Sequence, residues 1–186
     1  MATGLPLKLW TVDEYEEMIE RGILRDDDRV ELIRGEIIQM TPIGPKHASC
    51  VRRLDDLFHD LLAKSVYISV QSPVRLPDNS EPQPDVALLR RAEGNYEQRH
   101  PAAEDIYLLI EVSDTTYNAD HDVKIPLYAE AGVLEAWIVN LEGDTIEVYS
   151  ELVGGVYRKA WVAIRGDILP LPDGLAGAVS VDEVLG

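Results

Sequence analysis

The sequence predicts a mixed β-sheet flanked by helices, an α/β or α+β fold in a single domain spanning 1–186, and three observations carry that reading. Helical and strand periodicities follow one another as helix, hairpin, long helix, three strands, helix, strand and further strands. Two continuous apolar runs, Asp105 to Val112 and Ala136 to Val139, have the pattern of strands buried on both faces. A chain of 186 residues can bury a substantial core, hiding roughly 70% of its unfolded surface, without a second domain.

Each element has a local reason. Thr11 and Glu14 have capping-box spacing, and Val12, Tyr15, Met18 and Ile19 recur at helical intervals up to Gly22, so a short amphipathic helix is expected over 11–21. Val30 to Ile33 and Glu36 to Met40 bracket Arg34-Gly35, the signature of a tight hairpin. After the turn-prone Thr41 to Gly44, a second helix is written in Ala48, Val51, Leu54, Leu57, Phe58, Leu61 and Leu62. Val66 to Leu76 is β-branched and partly alternating, although Pro73 demands an edge, a bulge or a break. A strand follows at Asp85 to Arg90, a polar surface excursion at 91–103, and the buried strand at Asp105 to Val112. Val123, Leu127, Tyr128 and Ala131 suggest a helix ending at Gly132 with Pro126 in its first turn. Ala136 to Val139, Thr145 to Tyr149 and Val156 to Ile164 complete the strands, and Pro170 to Gly186 reads as a loop plus a turn of helix.

Composition narrows the function. The single Cys50 excludes an internal disulfide and a thiolate zinc cage, which fits a reducing, cytoplasmic setting. Met1 to Trp10 lacks the features of a signal peptide, and no stretch approaches the ~20 apolar residues that span a bilayer. A formal charge of −17 argues against tight, nonspecific binding of nucleic acid, which needs a basic face. Clustered acids can instead hold divalent cations, which invert the local field where a phosphate must sit.

Asp85 and Glu111 are the acids best placed for this, because each lies at the end of an apolar strand. They are 26 positions apart, enough for a strand, a connection and the next strand to bring both to one end of a sheet. Hard cations such as Mg²⁺ take oxygen ligands of this kind, and a metal held there can activate water for attack on phosphorus. Ser113 stands where a lysine would complete an E-x-K triplet. Lys124, 13 positions beyond Glu111 on the following helix, is the substitute.

Pro84-Asp85 followed by Glu111-Val112-Ser113, in the element order of residues 45–140, resembles the PD-(D/E)XK nuclease superfamily. More narrowly the chain resembles the Uma-two family of restriction-endonuclease-like proteins. That likeness runs through Trp10 to Tyr15, Arg29 to Ile37, Met40 to His47, Gln83 to Val86, Glu111 to Ser113, Val123 to Ala129 and Glu135 to Val139. It implies a restriction-endonuclease-like αβββαβ core with an added N-terminal helix and hairpin and extra C-terminal strands. It further implies that Asp85 and Glu111 hold Mg²⁺, with Mn²⁺ as substitute, that Lys124 is the relocated catalytic lysine, and that Glu31 is an additional acid of the site. DNA is then the expected substrate and a homodimer the expected assembly.

Simpler readings stand beside these. Lys124 could pair with Asp120 one helical turn away, Glu31 could face outward, and His47, which could bind phosphate or shuttle a proton, is expected to be a surface histidine. Lys46, Arg52 and Arg53 make the one basic concentration near the start of the second helix, where an anion could be drawn. His59, His100 and His121 show no ligand spacing, and Asp26-Asp27-Asp28 reads as a solvated turn. The −17 charge keeps two rivals open, a catalytically inactive interaction protein on a nuclease fold and a metal-dependent small-molecule phosphohydrolase.

Overall fold

The computed structural model describes residues 6–62 and 64–186, so residues 1–5 of the stretch read as lacking a leader lie outside the described residues. The chain opens with helix α1 (Val12–Glu20) and the hairpin of β1 (Val30–Ile33) and β2 (Glu36–Gln39). The expected capping box is formed: Glu14 N donates to Thr11 Oγ1 at 3.2 Å and Thr11 N to Glu14 Oε2 at 2.9 Å, satisfying amides that a first helical turn leaves free. At the hairpin turn Arg34 and Gly35 have φ of 49° and 79°, the left-handed pair that two-residue hairpins need. Gly35 is also sterically obligatory, since a Cβ there would lie 2.8 Å from Leu9 Cβ.

Helix α2 (Pro45–Leu62) turns Cys50, Val51, Leu54, Phe58 and Leu62 to one buried face. It leads into β3 (Tyr67–Val70), β4 (Val86–Leu89) and β5 (Ile106–Ser113). A crossover of α3 (Tyr117–Ala119), a π-helical turn (Asp120–Lys124) and α4 (Ile125–Ala131) then delivers β6 (Ala136–Asn140). The chain ends in β7 (Thr145–Val153), β8 (Val156–Ile164), β9 (Ile168–Pro170), β10 (Ala178–Ser180) and α5 (Val181–Leu185).

Strands β3-β4-β5-β6-β7-β8 form one six-stranded sheet in that order. Every pair is antiparallel except β5 and β6, whose parallel pairing is what the helical crossover makes possible. One face packs Leu108, Ile110 and Val112 against Leu54, Phe58 and Val184 of α2 and α5. The other packs Leu109 and Ile138 against Ile125, Leu127 and Tyr128 of α4. Each such buried side chain contributes ~1.5–3 kcal/mol over its exposed state. Because alternate residues of a strand point to opposite faces, Glu111 falls with Leu109 on the α4 side.

Several expectations are corrected. The strand read over Val66 to Leu76 covers only Tyr67–Val70, because Gln71 turns left-handed (φ 47°) ahead of Pro73. Beyond it, Val74 and Leu76 pair back on Pro82 and Ser80 through hydrogen bonds of 3.0 and 2.9 Å. The helical run starts at Tyr117, well before Val123, yet α4 opens at Ile125, so Pro126 takes its expected place in the first turn of that helix while following directly on the π turn. The ring of Pro126 would clash with the carbonyl of Asp122 in a regular helix, and Asp122 instead sits in the wider π turn. Strand β7 continues past Tyr149 to Val153, and the tail forms the β9–β10 hairpin before its expected turn of helix, α5. Strands of three residues are too short to show a period.

Candidate active site

Val86 pairs with Ile110, so continuing the β4–β5 register by one residue sets Asp85 opposite Glu111. Asp85 Oδ2 accepts a hydrogen bond from Val112 N at 2.8 Å and lies 2.9 Å from His47 Nε2, while Oδ1 accepts one from Gln71 Nε2 at 3.2 Å. Glu111 is 3% exposed. Its Oε1 accepts from the Tyr128 hydroxyl, and its Oε2 lies 3.3 Å from Lys124 Nζ. The same Nζ is 3.2 Å from Glu31 Oε2, which also accepts from Gln83 N at 3.1 Å. The fold thus gathers Asp85, Glu111, Lys124 and Glu31 along one cleft of about 250 Å³. Glu31 faces inward, and Lys124 pairs with Glu31 and Glu111 rather than with Asp120.

Asp120 has another task. Its Oδ2 accepts from Ser113 Oγ at 2.6 Å and from Thr116 Oγ1 at 2.7 Å. The serine in the E-x-K position therefore ties the end of β5 to the π turn that carries Lys124. In a π turn, residues four apart nearly eclipse, so Asp120 and Lys124 can share one side of the crossover.

The electrostatics are one-sided. Burial drives the Glu111 carboxyl well above the ordinary range; Lys124 opposes this, and Asp120, Asp85 and Glu31 reinforce it. For Lys124 burial favours the neutral amine, but Glu111, Glu31, Asp120 and Asp85 outweigh it and hold the ammonium above its usual value. Burial likewise acts to lower His47, yet Asp85, Asp120 and Asp114 raise it on balance. Burial and the neighbouring Glu111 push the Tyr128 hydroxyl well above 10.0, so it stays a hydrogen-bond donor. Four buried acids, Glu31, Asp85, Glu111 and Asp120, thus surround a single lysine.

The favoured surface reading of His47 is corrected: it is half-buried against Asp85. Its place in the Met40 to His47 stretch was the available signal. Tyr128 and Gln71 were missed, because nothing in their spacing announces the carboxylates they hold. The basic concentration proved partly structural: Arg53 Nε and Nη2 donate to Val184 O and Leu185 O at 2.9 and 2.6 Å, capping carbonyls of the C-terminal helix. Among the described residues, three carboxylate or imidazole ligand atoms come within 4.8 Å of one another at Glu16, Glu81 and His100, not here. Asp85 and Glu111 stand opposite each other in register and line the same cleft.

Residues 12–182 match the profile of the Uma2 family, described as "Putative restriction endonuclease". The chain belongs to the Uma2 family. It is also similar in fold to a solved protein from Anabaena variabilis, "a putative nuclease belonging to DUF820", with a TM-score of 0.75 at 15% identity over 97% of this chain and 98% of that one. A search of curated proteins finds no match. The stretches that carried the resemblance to Uma2 from Arg29 onward include Glu31, Asp85, Glu111 and Lys124.

Proposed function

We propose that this Uma2 chain is a divalent-metal-dependent endodeoxyribonuclease, a hydrolase of DNA phosphodiester bonds in which 1–186 form a single PD-(D/E)XK nuclease-like domain. The observation that carries the reading is Lys124 Nζ lying 3.3 and 3.2 Å from Glu111 and Glu31, on the face where Asp85 stands opposite Glu111. Asp85 and Glu111 would hold Mg²⁺ or Mn²⁺: their oxygens are hard donors, they open on a cleft, and four acids against one lysine leave negative charge that a cation offsets. The ion, when bound, supplies charge stabilisation at the phosphate and acidifies water.

The chain's own groups do the rest. Lys124 keeps its proton, so it orients water and donates hydrogen bonds to phosphate oxygens rather than acting as a base. Glu31 gives the ammonium a second carboxylate partner, 3.2 Å from Nζ. His47 and the Val112 amide fix the rotamer of Asp85. Tyr128 does the same for Glu111.

The test is cleavage of plasmid DNA with added Mg²⁺ or Mn²⁺. Asp85→Ala and Lys124→Ala should each abolish metal-stimulated cleavage while circular dichroism stays native; undiminished activity in either rejects the assignment. Turnover of small phosphoesters but not DNA would favour the phosphohydrolase, and calorimetry with no Asp85-dependent metal binding would favour an inert interaction protein.

The same proposal includes a homodimer in the cytoplasm. Strand β8 is a sheet edge with Val156, Val162 and Ile164 more than half exposed, and sedimentation would measure the assembly. Among the described residues no helix is long and apolar enough to cross a membrane.

A further inference from the structure

Away from the cleft, Glu16 of α1, Glu81 of the 71–85 segment and His100 of the 91–105 excursion bring one ligand atom each to within 4.8 Å of the others. Glu81 is 2% exposed, and among the described residues no donor reaches its Oε2, which is sealed from solvent. A buried carboxylate in that state is costly unless a proton or a cation accompanies it. The neighbouring cation, Arg75, is already engaged: its Nη1 lies 3.3 Å from Glu16 Oε2 and its Nη2 contacts Asp13. Asp13 and Glu16 thus occupy that guanidinium, which acts on Glu81 only through its field. Burial, then the charge of Glu16 and a hydrogen bond shared with it, push the Glu81 carboxyl up to about 7, against the pull of Arg75.

We propose that Glu16, Glu81 and His100 form a second divalent-cation site, selective for a transition ion such as Zn²⁺ or Mn²⁺, which fastens α1 to the two loops beneath it. Two carboxylates and one imidazole suit such an ion, whereas Mg²⁺ favours all-oxygen surroundings. The site is separate from the cleft. Glu31 and Leu32 are successive on β1 and point to opposite faces. Glu31 meets Lys124, whereas Leu32 packs with Val12 and Tyr15 beneath α1. Leu32 is also the residue whose backbone holds Glu81, with Glu81 N donating to Leu32 O at 2.7 Å. Pro101, next to His100, accepts from Arg75 N at 2.8 Å, so the third ligand is anchored to the same segment as the second. An ion here would add its binding free energy to folding, because the three ligands come together only in the folded chain.

The experiment titrates Zn²⁺ against a chromogenic chelator at neutral pH, using the chain carrying Asp85→Asn and Glu111→Gln so that the cleft cannot report. One equivalent should bind and raise Tm. Adding His100→Ala should weaken that binding at least tenfold, and a large excess of Mg²⁺ should not displace the ion. If the cleft variant folds poorly, the unsubstituted chain serves: zinc stoichiometry should fall by one with His100→Ala, whatever the cleft does. Failure of the cleft variant to bind zinc when folded, or binding that His100→Ala leaves unmoved, overturns the proposal. So does Glu81→Gln that stabilises the chain while zinc binding stays intact, since Glu81 would then carry a proton in place of an ion. None of these outcomes depends on DNA cleavage.

Discussion

Lys124 Nζ lies 3.3 Å from Glu111 Oε2, and both side chains are buried although they come from a strand and from the crossover that follows it. The pair is completed by Glu31 from the N-terminal hairpin, so one ammonium joins three separate parts of the chain.

Removing that ammonium should lower the stability of the folded chain as well as abolish the chemistry. Lys124→Met leaves Glu111 and Glu31 buried without a cation, and breaking a buried ion pair from one side costs about 3–5 kcal/mol. Urea denaturation should show a loss of that order. The double variant Lys124→Met/Glu111→Gln should be less destabilised than Lys124→Met alone, because the amide no longer needs a counter-charge; a double variant at least as unstable would mean that Lys124 contributes by packing alone.

Gly35→Ala should act on the site from a distance. The turn needs a positive φ of 79°, and the added methyl would meet Leu9 Cβ at 2.8 Å. The turn is also tied to the 78–81 segment, with Gly35 N donating to Asn79 O at 2.8 Å and Arg34 N to Ser80 Oγ at 2.8 Å. A loss of roughly 1–3 kcal/mol is expected from denaturation midpoints. Reduced DNA cleavage should accompany it, because β1 carries Glu31. An unchanged midpoint would show that the N-terminal segment yields at little cost.

These two cases mark what the sequence could reveal. The hairpin, helices α1 and α2 and the buried strands announced themselves because period, capping residues and turn residues are local properties, as in Thr11-Glu14 and Arg34-Gly35. Asp85, Glu111 and Lys124 were legible because strand ends and helix position are also nearly local. What escaped was long-range partnership. His47 reaches Asp85 across 38 residues, and Arg53 caps Leu185 across 132, and neither local sequence names its partner. The π turn escaped as well, since Val123 and Leu127 keep helical spacing whether the turn has a regular or a widened pitch. His100 carried no ligand spacing because its neighbours in space, Glu16 and Glu81, lie far from it in sequence.

The 91–105 excursion should depend on pH through Asp105. Hydrogen bonds from Arg99 come first, with help from Ala102 N and against burial, and they hold its carboxyl below 3.8. A carboxyl depressed in the folded state adds stability above its unfolded value and loses it as pH falls through the lower, folded one. Asp105→Asn should therefore cost about 1 kcal/mol at neutral pH, the modest scale being set by the half-exposed Arg99. The gap from the unsubstituted chain should narrow as pH drops below 3.8, read from urea midpoints across an acid series. A gap that stays constant with pH would assign the effect to the lost backbone cap.

Moving the lysine back to the strand would test its role directly. Ser113 and Glu111 are two apart on β5 and so share a face, and Ser113 is buried beside the crossover that now supplies Lys124. A lysine at Ser113 could reach the same cleft from the strand side, but it would lose the 2.6 Å hydrogen bond to Asp120, which would become its counter-ion instead. Ser113→Lys/Lys124→Ala should thus recover metal-stimulated DNA cleavage at least tenfold above Lys124→Ala, while Ser113→Ala in the Lys124→Ala background should recover none. The recovery depends on charge delivered to a place rather than on a particular backbone position, since an ammonium acts through the electrostatic field it sets at the phosphate. If the double variant folds, judged by its denaturation midpoint, and still fails to cleave, Lys124 must act by holding Glu31 and Glu111 in place and not by contact with the reacting phosphate.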